Sequence, residues 1–168
     1  MLPLLLMLQN APNAAPIRLD LRNWHSEETV GSDKRSCTFS LSPNFYGIVV
    51  RYAESSDDFE MSFDSPGVHV LPAEIAIPLR VIINDVSRQV SGLRRDRKLS
   101  FHLDRAMVET GMARRGMIRI LLNAPSTPET LIARYRLSGE DYEGAATRFR
   151  NCSIALHDRS KVALASGR

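Results

Sequence analysis

Leu137-Ser138-Gly139-Glu140-Asp141-Tyr142-Glu143-Gly144-Ala145-Ala146-Thr147-Arg148-Phe149-Arg150-Asn151-Cys152 closes the patterned part of the chain. A strand-like run leads in, Ser138-Gly139 interrupts the extended backbone, and apolar side chains then recur at three- and four-residue steps. Tyr142, Ala145, Ala146, Phe149 and Cys152 therefore share one face of a helix over about 140–152. A helix with one apolar face has to cover something. The other cysteine of the chain stands in Cys37-Thr38-Phe39-Ser40-Leu41, where Cys37, Phe39 and Leu41 lie on one side of an alternating strand. The closing helix reads as a lid over that strand. The two cysteines form either a bridge or a pair of buried thiols; an oxidising compartment selects the bridge.

Working outward, the segments between these anchors are short, alternating and separated by turn residues. Gly47–Ala53, Phe59–Phe63, Leu79–Ile83, Lys98–Leu103, Met117–Leu122 and Leu131–Leu137 read as strands, with Arg88–Leu93 as a partner for Leu79–Ile83. Ile17–Trp24 alternates in the same way, Glu27–Arg35 reads as a charged loop, and Val68–Pro72 and Glu74–Pro78 read as extended pieces punctuated by proline. Asp104 is placed to cap a helix near 105–115, whose Met107, Val108, Gly111 and Met112 share a face and whose end Gly116 would cap. The expected fold is mainly β: an antiparallel sandwich or barrel-like domain with this short helix and the closing one. The expected division is a signal-like or disordered segment at 1–15, one β-rich domain at 16–156 and a flexible tail at 157–168.

A length of 168 residues suffices for one domain with its own core, and 43% apolar with 24% charged residues is ordinary for a globular protein. The formal charge of +3 is too small to call for a polyanion, and one Trp, six Phe and four Tyr make no stacking platform for single-stranded nucleic acid. Met1–Leu8 is apolar and the stretch to Pro16 is small and polar, as at the end of a secretory signal, although basic residues do not precede it. The reading is export to the periplasm or the medium, with no transmembrane segment in the mature form.

Chemistry is sparse. His102 and Asp104 point the same way on an alternating strand, but no Gly-x-Ser-x-Gly or comparable nucleophile motif accompanies them. His25 and His69 are isolated, and Glu54, Asp57, Asp58 and Glu60 lack the spacing of a calcium loop. Neither cysteine has a histidine at ligand spacing, so no metal or other cofactor is implied. Arg94, Arg95, Arg97 and Lys98, with Arg114 and Arg115, could join in one basic patch for an anionic ligand.

Trp24, Cys37 heading a strand, Leu71-Pro72, Ile77-Pro78-Leu79-Arg80-Val81-Ile82-Ile83-Asn84-Asp85, Gly116 before a strand, and Tyr135-Arg136-Leu137-Ser138-Gly139 followed by Gly144-Ala145-Ala146 and Cys152 form an order that resembles the invasion-associated locus B family and its small proteobacterial periplasmic relatives. The resemblance spans about 24–152. It implies an exported β-sandwich-like protein without catalytic residues; the second cysteine pair typical of that family is missing from this sequence. The expectation is a non-enzymatic exported protein that acts on a protein or cell-envelope partner, the alternative being a polyanion-binding module built on the arginine patch.

Overall fold

Alternating apolar residues fold into nine strands, which the computed structural model, describing residues 24–31, 34–41, 47–54, 56–125, 128–139 and 141–165, joins into one antiparallel sheet. In chain order these are β1 (Trp24–Val30), β2 (Arg35–Leu41), β3 (Ile48–Ala53), β4 (Asp58–Phe63), helical turn α1 (Pro66–His69), β5 (Ala76–Ile83) and β6 (Val86–Arg95). There follow β7 (Lys98–Asp104), helix α2 (Arg105–Met112), β8 (Gly116–Leu122), β9 (Thr130–Leu137) and helix α3 (Tyr142–Ala165). Across the sheet the order is β1-β2-β3-β4-β7-β6-β5-β8-β9. The β-rich architecture expected of the sequence, with a short helix and a closing one, is the one observed, realised as a curled half-barrel.

The curl has a visible cause. β4 and β9 lie far apart in the strand order, yet Phe63 meets Tyr135 ring edge to ring face at 6.2 Å. The Tyr135 hydroxyl also donates to the Asp64 carbonyl at 3.2 Å. Bringing both halves over one apolar interior buries far more surface than a flat sheet would, at roughly 25 cal/mol per Å2. The concave face carries Phe39, Val50, Met61, Phe101, Val81, Ile120 and Tyr135, all buried. α3 covers β1 and β2, and α2 sits over the central strands.

Cys37 and Cys152 tie the lid to β2, with Sγ atoms 1.99 Å apart and Cα atoms 6.0 Å apart. Around them Trp24 stacks on Phe39 at 4.5 Å, Phe39 meets Phe149 at 5.5 Å, and Phe149 meets Phe59 at 5.7 Å. The apolar face read from the sequence is thus the face that docks.

Several boundaries differ from the sequence reading. The charged loop expected at Glu27–Arg35 is half strand: β1 runs to Val30 and pairs in continuous register with β2, from Trp24↔Leu41 to Val30↔Arg35. An edge strand needs few apolar residues and tolerates charge, so alternation is weak there. Residues 17–23 of the expected first strand, and the signal-like segment, lie outside the described residues. Val68 belongs to α1 and not to an extended piece, because Pro66 opens a helical turn that buries Val68.

Pro78 sits inside a central strand, but the paired register with β8 ends next door at Leu79↔Leu122. Gly116 opens β8 and caps nothing. A Cβ there would lie 1.6 Å from Asn84 Oδ1, so glycine is required by close approach. The closing helix also runs past 152 to Ala165, which makes 157–165 helical where a flexible tail was expected. Buried Leu156 and a 3.1 Å hydrogen bond between Tyr52 Oη and His157 Nδ1 hold its second half. Beyond His157 most side chains are exposed, so that segment shows no apolar periodicity.

Candidate binding cleft between the two helices

α2 and α3 lie over the same concave face but do not close against each other along their length. The space between them is a cleft of about 380 Å3. Its α2 wall carries Val108, Glu109 and Met112, continuing through Ala113, Arg114 and Arg115; its α3 wall carries Tyr142, Glu143, Ala146, Thr147, Phe149, Arg150 and Ser153; Phe59 contributes from the sheet. Of these, Phe59, Val108, Met112, Tyr142 and Phe149 are buried while Arg114, Arg115, Glu143 and Arg150 are exposed, an apolar floor with a charged rim as in many small-ligand sites.

Local rules fix both walls. The Asp104 carboxylate caps α2, accepting from the Met107 N–H at 2.8 Å through Oδ1, while Oδ2 receives Arg88 Nε at 3.1 Å. At the other end, Asn84 Nδ2 donates to the Gly111 carbonyl at 2.8 Å, and Asn84 Oδ1 accepts from the Met117 N–H at 2.9 Å. Asn84 itself adopts φ of 54°, a conformation asparagine tolerates. Tyr142 Oη donates to the Met112 carbonyl at 2.7 Å, tying the start of α3 to the end of α2. The last carbonyls of α2 are thereby satisfied without closing the cleft.

Charge at the mouth is unevenly committed. Glu143 Oε1 receives Arg115 Nε at 2.9 Å, and Glu109 Oε1 lies 2.7 Å from Arg105 Nε in an ion pair. Arg105 also sits over the Tyr52 ring, 5.4 Å from its centre. Both carboxylates of the cleft have a cation of their own. Arg114 and Arg150 have no ion-pair partner among the described residues.

The basic patch expected from the sequence is not one surface. Arg95 and Lys98 face each other across the β6–β7 turn, with Arg97 in the turn between them. Arg114 and Arg115 stand beside Asn84, at the opposite end of β6. Ten residues of strand at about 3.3 Å each put roughly 30 Å between the two groups. Arg94 is also spoken for, donating to the carbonyls of Leu71 and Asp96. Arg97 pairs with Asp64 at 3.5 Å. Closeness in sequence misled because the turn and the helix end lie at opposite rims of the sheet.

His102 is exposed and stands opposite Glu60, on the side of the sheet away from the helices, and Asp104 is occupied as a cap. His69 Nε2 lies 2.5 Å from Asp64 Oδ1, and His25 is exposed opposite Ser40. Among the described residues no three His, Cys, Asp or Glu side chains converge in a metal-binding group, and no helix is long and apolar enough to cross a membrane. The sequence reading offered only Arg114 and Arg115 of the cleft residues as site candidates, and the one missed that matters most for charge is Arg150. It flanks Phe149, and a charged residue beside an apolar helix face is so common that nothing marked it.

Burial raises the hydroxyl pKa of Tyr142, and burial followed by the Asp64 charge raises that of Tyr135, both well above the ordinary tyrosine value of about 10. Above pH ~10 the unfolded chain gives up these protons first. The native state therefore keeps its full margin below that pH and loses it as the pH rises, by about 1.4 kcal/mol per pH unit for each tyrosine. Urea titrations at pH 9 and pH 11 should show a marked fall in midpoint, and Tyr142→Phe should flatten the fall.

Comparison of the chain with family models, curated proteins and solved structures returns no match.

Proposed function

We propose that this protein is an exported, non-catalytic binding domain that acts through contacts with a ligand or partner in the cell envelope, using the cleft between α2 and α3. The observation that carries the reading is the Cys37–Cys152 pair, at bonding distance beneath the lid helix and 115 positions apart in sequence. A bridge of that kind persists in oxidising compartments and is rare where thioredoxin and glutathione act. The signal-like start and the resemblance to the invasion-associated locus B family support the same compartment. Binding is favoured over catalysis because His102 lies exposed on the far side of the sheet from the cleft, and Asp104 is already engaged by Met107 and Arg88. The polyanion alternative loses the joined basic surface on which it depended.

Osmotic-shock fractionation of the native host, with mass analysis of the recovered chain, tests the assignment. The chain should appear with the shock-released proteins and lack its apolar start. Recovery with the cytoplasmic fraction, Met1 intact, would contradict it.

A further inference from the structure

We propose that the cleft between α2 and α3 holds one single-chain amphipathic anion, an acyl or alkyl tail bearing a phosphate or carboxylate head. The inference rests on the reading of the protein as a binding domain and supplies its ligand class. Three features meet at this place. The floor of the cleft is formed by Phe59, Val108, Met112, Ala146 and Phe149, core residues whose outer edges give it an apolar lining. A volume of about 380 Å3 is at the low end for ligand sites, suited to one chain and too small for a paired-chain lipid. At the mouth, Glu109 and Glu143 are each neutralised by an arginine, while Arg114 on one wall and Arg150 on the other are left without an acidic partner among the described residues.

Two exposed arginines among the residues that line one apolar trough complement a head of negative charge, and their planar donors fit the oxygens of phosphate or carboxylate. A neutral apolar ligand would make no use of either guanidinium group, both of which are exposed. A protein partner would need a contact several times larger than this trough provides.

Calorimetric titration of the purified, oxidised protein with octyl, decyl and dodecyl phosphate, each below micelle formation, tests the proposal. Affinity should rise roughly fourfold per added methylene until the cleft is full. Methyl phosphate should not bind measurably, and dodecanol should bind more weakly than dodecyl phosphate. Replacing both arginines (Arg114→Gln with Arg150→Gln) should weaken dodecyl phosphate by roughly 10- to 100-fold and leave dodecanol unchanged. Ala146→Trp, which fills the cleft, should abolish binding of both, with circular dichroism confirming that the fold is kept.

Affinity independent of chain length, or equal affinity for alcohol and phosphate, would overturn the proposal. So would binding to anionic phospholipid vesicles that survives Ala146→Trp while the single-chain phosphates fail to bind. None of these readouts depends on where the cell keeps the protein, so the ligand assignment and the export assignment stand or fall separately.

Discussion

Replacing both cysteines (Cys37→Ala with Cys152→Ala) should lower the unfolding free energy by about 4–5 kcal/mol, the chain-entropy contribution of a bridge closing so long a loop. The bridge spans 115 positions, from the second strand to the lid helix, so nearly the whole fold lies inside it. For a domain of this size the melting temperature should fall by roughly 10–20 °C. The effect acts mainly on the unfolded chain, which regains the freedom the bridge had removed. The folded variant should therefore keep its strand and helix content at low temperature. Wild-type protein under reductant should melt close to the variant, and an unchanged melting temperature in both would show that the bridge carries no stability.

Phe149→Ala is the second large effect, expected to cost about 3–5 kcal/mol. Phe149 is 4% exposed and touches Phe39 from β2 and Phe59 from β4, so one side chain anchors α3 to two strands. Two side chains of the same helix face are held away from the space, Tyr142 by the Met112 carbonyl and Cys152 by its bridge. Ile154 lies on the same helix but is 41% exposed, and Ile154→Ala should cost less than about 0.5 kcal/mol. Urea midpoints of the two variants separate the docking face of α3 from its outer face. Equal midpoints would contradict the packing described for the lid.

Most of the fold was legible because an antiparallel sheet with one covered face writes itself as alternation. β4, β5 and β7 show it cleanly, their buried positions recurring every second residue. The same logic explains the failures. β1 keeps only Trp24 buried, so nothing in Glu27–Val30 distinguishes an edge strand from a loop. The second half of α3 buries Leu156 and little else, so its pattern fades although the helix continues.

The candidate site was less legible for a different reason. Met112 and Val108 on one helix, and Ala146 and Phe149 on the other, each read as core-facing residues, which they are. That the two helices leave a gap between them depends on how Asn84 and Tyr142 fix the end of α2, a tertiary fact with no local signature. The arginines invite the opposite error. Arg94 to Lys98 form a conspicuous run whose charges are dispersed or engaged, whereas Arg114 and Arg150 are distant in sequence and share one mouth.

The oxidation state of the two cysteines in the protein as its host makes it tests the central claim most directly. Alkylation of freshly released protein under denaturing conditions, read by intact mass, should modify neither cysteine without reductant and both after reduction. Modification of Cys37 and Cys152 without reductant would contradict an exported, bridge-closed binding domain.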